Sequence, residues 1–126
     1  MGKVSTLPLS DSAWLEAEPL EELYRQLGPV GAEDIVCRAM EELAARLTRL
    51  ERMHRAADFE GMRKSVRSMA KIADQIGMRG LAKVAVDVRD CIDSGDGVAL
   101  AATLSRLMRV GERSLTSIWD LQDITV

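Results

Sequence analysis

Apolar residues recur every three or four positions over most of this chain, which is the spacing of residues along one face of an α-helix. The most regular stripe should be buried along its whole length, and its members are Phe59, Met62, Val66, Met69, Ala73 and Ile76. The last stripe is predicted to face the core through Val98, Ala101, Leu104, Leu107 or Met108, Gly111, Leu115, Ile118 and Trp119. Similar spacing at 20–27, 36–53 and 81–88 predicts three further amphipathic segments. The pattern therefore predicts helices that pack around one apolar core.

Glycine and aspartate mark the predicted helix ends, because glycine enters the left-handed C-terminal cap without steric cost and aspartate caps N-termini. Gly28 should end a short first helix, and Gly77 should end the helix that begins after Asp58. Residues 94–96, Ser-Gly-Asp, supply a glycine stop and an aspartate cap for the last helix. Gly111, inside that helix, is expected where two helices approach each other closely.

The links between the four long helices are predicted to contain only two to four residues. Such links cannot span a helix of ~25–35 Å, so consecutive helices must run antiparallel. We therefore predict an all-α protein, an up-down-up-down antiparallel four-helix bundle with a short N-terminal capping helix. The bundle should occupy residues 18–122, with an N-terminal arm at 1–17 and a C-terminal tail at 123–126.

Composition fits this fold and narrows the function. Hydrophobic residues make up 47% of the chain but aromatic residues only 3%, so the core must be aliphatic, which favours helix over sheet. We expect no signal peptide, and no apolar run approaches the ~20 residues that cross a bilayer, so we expect a cytoplasmic protein without a membrane partner. Two separated cysteines and one histidine make no metal site, and no cofactor is predicted.

Charge is distributed unevenly along the chain. The overall net charge of −3 argues against a general nucleic-acid binder. Residues 11–42 carry nine acidic and two basic side chains, whereas residues 62–79 carry five basic and one acidic. The polar face opposite the Phe59 stripe contains Glu60, Arg63, Lys64, Arg67, Lys71 and Asp74. A short basic surface on an acidic protein suits an acidic partner.

Residues 67–77, RSMAKIADQIG, resemble the signature of the histidine-containing phosphotransfer (HPt) domains of bacterial phosphorelays. That signature begins with the phosphoacceptor histidine and a hydroxyl residue, and it closes with an aliphatic residue and glycine. In this register the histidine falls on Arg67 and the hydroxyl residue on Ser68, while Ile76 and Gly77 match the close. The intervening leucine, lysine, glycine and serine fall on Met69, Ala70, Lys71 and Ile72.

The resemblance covers residues 18–122 and implies a phosphorelay protein whose partner is a response-regulator receiver domain or a histidine kinase. Arginine cannot accept a phosphoryl group, because its guanidinium stays protonated and has no usable lone pair. We therefore predict a protein that is not an enzyme, has no catalytic residue and has lost phosphotransfer. It should bind a receiver domain or another signalling partner through the basic helix face around Arg67. The predicted contact residues are Arg63, Lys64, Arg67, Ser68 and Lys71.

Three other interpretations stay open. The chain could be an active phosphotransfer protein that uses His54, its only histidine, although His54 lies thirteen residues before Arg67 at the end of the preceding helix. The bundle could instead be a structural module that forms a helical homodimer. Finally, the basic residues could be no more than a solvated helix face.

Overall fold

The computed structural model describes the backbone of residues 16–125 and the side chains of residues 16–116. Over that range the chain forms four helices: α1 (Ala17–Arg55), α2 (Phe59–Gln75), α3 (Arg79–Ser94) and α4 (Gly97–Thr125). Because the helices are joined by links of only two or three residues, successive helices run antiparallel. The predicted all-α, up-down-up-down four-helix bundle is confirmed.

The four helices form a closed ring. Each helix contacts the next along the chain, and α4 returns to contact α1. Among the described residues, the diagonal pairs α1 with α3 and α2 with α4 make no close backbone contact. The groove between α2 and α3 therefore lies on the opposite side of the bundle from the groove between α1 and α4.

Helix α1 contains the predicted short capping helix. Gly28 interrupts it with non-helical dihedral angles, φ 77° and ψ 170°, so residues 17–27 form a separate helical segment that ends where predicted. Leu20 and Leu23 of this segment pack against the core. Tyr24 is 37% exposed, and partial burial, followed by the nearby charge of Glu33, raises the pKa of its phenol. All but the last two residues of the predicted arm at 1–17 lie outside the described residues.

All three turns between the helices use the same C-terminal motif. One residue in each turn has a positive φ, namely Ala57 (57°), Gly77 (84°) and Gly95 (72°). The next residue donates its backbone N–H to a carbonyl five residues back, as in the 2.8 Å bond from Met78 to Ala73. This is the Schellman motif, which satisfies the last carbonyls of a helix. Only Ala57 occupies this position without being a glycine, so the sequence gives no sign of it.

Aspartate side chains begin α2 and α4, as predicted. Asp58 accepts a hydrogen bond of 3.0 Å from the backbone N–H of Gly61, and Asp96 accepts one of 3.0 Å from Ala99. Each bond satisfies a backbone donor that the first turn of a helix otherwise leaves unpaired. These caps fix where each helix starts after its turn.

The core is aliphatic and runs the length of the bundle. Its fully buried large side chains are Met40, Leu43, Leu50, Met62, Val66, Met69, Ile76, Met78, Leu81, Val88 and Leu107. The predicted α2 stripe is buried from Met62 onward, but Phe59 is 44% exposed. Phe59 is the first residue of α2 and directly follows the α1–α2 turn.

The predicted core face of α4 is wrong at its start. Val98 is 84% exposed and Ala101 is also exposed, whereas Leu100 is buried. Leu100 and Leu104 continue the same three-and-four spacing, and burying leucine removes more apolar surface from water than burying alanine. Hydrophobic spacing alone could not choose between adjacent residues at the helix end.

The predicted close approach at Gly111 is confirmed. A Cβ atom at this position would lie 2.6 Å from Cδ1 of Leu47, so only a glycine lets α1 and α4 come this near without a shift. Helix α4 then continues to Thr125, so residues 123–125 of the predicted tail are helical. The side chains of Ile118 and Trp119 lie outside the described residues.

Candidate binding surface between α2 and α3

The predicted contact residues lie along α2 in different environments. Lys64, Arg67 and Lys71 are exposed, and Ser68 is half-buried. Arg67 and Lys71 are four residues apart and therefore lie on the same side of the helix. Arg63 is also half-buried and is held by a side chain of α3.

An ion pair closes the seam between α2 and α3 at the end near the α1–α2 turn. Arg63 donates from Nε to Oδ1 of Asp93 at 2.7 Å and from Nη2 to Oδ2 at 3.3 Å. This two-bond geometry is the favourable one for an arginine and a carboxylate. The hydrogen bond from Arg63 holds the pKa of the Asp93 carboxyl below its usual range. Arg63 therefore joins the two helices, and a partner would have to displace Asp93 to use it.

A second set of polar contacts closes the other end of the seam. Arg79 Nε lies 3.5 Å from Oε1 of Glu16 and 3.9 Å from Oδ1 of Asp74. The backbone N–H of Glu16 donates to the carbonyl of Gly77 at 2.8 Å. Glu16, the residue just before α1, therefore packs against the α2–α3 turn.

Between these two ends the seam opens into a small cavity, which we call the α2–α3 cleft. Its volume is about 160 Å³, and it is lined by Val66, Arg67, Ala70, Lys71, Ala85, Val86 and Arg89. The small side chains of Ala70 and Ala85 leave the space open, while Val66 and Val86 make its walls apolar. Three cationic side chains surround an opening with apolar walls.

The positive charge at the α2–α3 cleft is largely uncompensated. Among the described residues, neither Arg67 nor Lys71 has a carboxylate oxygen within 4.0 Å. Arg89 lies with Nη2 3.2 Å from Oδ1 of Asp90, and its charge also contributes to lowering the pKa of Asp93. The cleft is therefore a region of positive potential on a chain whose net charge is −3.

The chemistry of this arrangement is that of anion binding. Guanidinium and ammonium groups donate hydrogen bonds but accept none, and they remain charged near neutral pH. The histidine, cysteine, aspartate and glutamate residues of the described part form no group of three placed to hold a metal ion. None of the helices in that part combines the length and the apolar content needed to cross a bilayer.

His54 lies away from the α2–α3 cleft. It lines the groove between α1 and α4, a space of about 330 Å³ that also borders Glu51, Ser105 and Arg109. Because that groove is on the opposite side of the bundle, His54 and Arg67 cannot act on one bound group. The interpretation that His54 accepts a phosphoryl group remains a prediction, but it would need a separate docking surface.

Sequence reasoning missed Arg89. Arg89 is plainly a cation, but it lies on α3, the helix after the basic stretch. The sequence does not show which side of α3 faces α2. The nearest signal is its position four residues after Ala85, a buried residue of the α3 face that packs on α2. The structure thus brings Arg67 and Lys71 together with Arg89.

The Arg63–Asp93 pair should give a small pH-dependent contribution to stability. Because the pKa of Asp93 is lowered on folding from about 3.8, the contribution is present above about pH 4 and is lost as the pH falls through the lowered value. Asp93→Asn should therefore lower the melting temperature at about pH 7, and its effect should shrink as the pH falls to about 2.5. The shift should be small, since both side chains are more than 40% exposed. An equal shift at both pH values would show that the pair does not act through the charge of Asp93.

Comparison of the chain with protein-family models, curated proteins and solved structures finds no match.

Proposed function

We propose that this chain is an HPt-like signalling protein that acts by binding and does not transfer phosphate. Its partner is a receiver domain or another acidic signalling protein, which it meets with the surface around Arg67. The resemblance at residues 67–77 supplies the class of partner, and the four-helix bundle is the architecture that the resemblance implies.

The observation that carries the proposal is the contrast along the α2–α3 seam. Arg63 and Arg79 are engaged by carboxylates of the chain itself, whereas Arg67 and Lys71 between them have no such partner among the described residues. Because these exposed cations have no internal partner within the described part of the chain, no existing ion pair has to break before they bind an acidic surface. Charge complementarity of this kind favours rapid and selective association with an acidic partner.

The proposed lack of phosphotransfer rests on the residue at the centre of this surface. A phosphoacceptor needs a lone pair on a group that is partly deprotonated near neutral pH, and the guanidinium of Arg67 offers none. A bound phosphoryl group would be held there by hydrogen bonds and charge. The protein would therefore alter how long its partner stays phosphorylated or which other proteins that partner meets.

The test is to titrate this chain into receiver domains from the same organism, each of which has been phosphorylated with labelled phosphate. We expect at least one receiver to form a complex that weakens with rising salt, without label appearing on this chain. Label that appears on the wild-type chain and disappears in His54→Ala would overturn the proposal in favour of phosphotransfer. Failure of every receiver to bind would remove the receiver as the partner.

A further inference from the structure

We infer that the α2–α3 cleft is a phosphoryl subsite, in which Arg67, Lys71 and Arg89 together hold one phosphoryl group. The inference depends on the proposed function only for the protein that carries this group, a phosphorylated receiver domain. The subsite itself is argued from the cleft.

The three cations reach the same opening from two helices. Arg67 and Lys71 come from successive turns of α2, and Arg89 comes from α3 across the seam. A phosphoryl group carries a charge of about −1.5 to −2 near neutral pH and presents several acceptor oxygens at once. Donors from two sides of one cleft can bind different oxygens of the same group and hold it from both sides.

The size and the walls of the cleft fit this ligand. A cavity needs about 10–15 Å³ to hold one water, so a volume of about 160 Å³ admits a phosphoryl group together with water. Val66 and Ala85 are fully buried beneath the cations. Apolar walls exclude water from one side of the bound group, which strengthens its interaction with the guanidinium groups.

Asp90 acts as an internal competitor. Its carboxylate lies 3.2 Å from Arg89, so it occupies part of the donor capacity that a phosphoryl group would use. This contact is exposed and involves one hydrogen bond, which a dianionic ligand can displace. Removing Asp90 and removing Arg89 should therefore change phosphate affinity in opposite directions.

The first experiment follows backbone amide signals by NMR while inorganic phosphate replaces chloride at constant ionic strength. We expect saturable shifts confined to residues 66–71 and 85–89, with a dissociation constant of about 1–10 mM. Arg89→Gln should weaken binding by about tenfold, and Asp90→Asn should tighten it by about twofold. Arg106→Gln, on an exposed arginine of α4, is the matched control and should leave the affinity unchanged.

Two results of this titration would overturn the subsite. One is a set of shifts that is spread over all basic residues without saturation. The other is an Arg89→Gln variant that binds phosphate as tightly as the wild-type chain. Acetate is the second probe, and it should bind more weakly than phosphate; equal affinities for the two anions would contradict a site selective for a phosphoryl group.

A second experiment tests separately whether the cleft binds a phosphoryl group and whether a receiver domain carries that group. A receiver that binds this chain should bind at least fivefold more tightly when phosphorylated, and Arg89→Gln should remove that difference while leaving the weaker binding largely intact. Phosphate binding at the cleft without any receiver binding would support the subsite and contradict the receiver domain as the partner in the proposed function. Receiver binding that is indifferent to phosphorylation and to Arg89→Gln would contradict the subsite and leave the proposed function standing.

Discussion

Replacing Gly77 with alanine should lower the free energy of unfolding by roughly 2–4 kcal/mol, which is a large part of the stability of a domain of this size. Two costs combine at this position. Gly77 has a φ of 84°, where a side chain costs about 1–2 kcal/mol. In addition, the new Cβ would collide with the backbone carbonyl oxygen of Glu16, which cannot swing aside as a flexible side chain can.

Gly95→Ala is the matched control for this prediction. Gly95 occupies the same position in the same turn motif, with a φ of 72°, but a Cβ there would meet no atom within 4 Å. Gly95→Ala should therefore lower the free energy of unfolding by only about 1–2 kcal/mol, which is the cost of the backbone conformation alone. Urea denaturation of both variants measures the difference. Equal losses would show that the chain at Glu16 does not sit on the α2–α3 turn as described.

Most of the fold follows from local signals in the sequence. Gly28, Gly77 and Gly95 each interrupt or end a helix at a positive φ, and Asp58 and Asp96 cap the helices where their spacing predicts. These signals act over one helical turn, so neighbouring residues are enough to recognise them. The antiparallel order of the helices then follows from the short links.

Features that depend on the rotation of one helix against another could not be predicted in the same way. The assignment of Ala101 to the core instead of Leu100 is an error confined to the start of α4, since Leu104, Leu107 and Gly111 are buried as predicted. Arg63 and Asp93 are thirty residues apart in sequence, and nothing local pairs them. The contribution of Arg89 to the cleft depends on the same relation between α2 and α3.

Arg67→Glu should weaken the proposed binding of a receiver domain by about 100-fold, the second large effect expected for this chain. The substitution replaces a cation at the centre of the cleft with an anion, and like charges facing each other in an interface cost several kcal/mol. Folding should be unaffected, because Arg67 is exposed and makes no ion pair with another described residue. Unchanged helical content and melting temperature would establish this before binding is measured.

Arg106→Glu provides the charge-matched control. It also moves the net charge from −3 to −5, so any long-range repulsion of an acidic partner is the same in both variants. Arg106 is exposed on α4, the helix diagonally across the bundle from α2. The two variants therefore differ only in whether the substituted residue lies at the α2–α3 cleft.

The most direct test of the account is therefore the affinity of one receiver for the wild-type chain, Arg67→Glu and Arg106→Glu, measured by calorimetry at about 0.1 M salt. We predict that Arg67→Glu loses about 100-fold in affinity, whereas Arg106→Glu stays within about threefold of the wild-type chain. Equal affinities of the two variants, with both folded, would contradict the claim that this protein acts through the α2–α3 cleft.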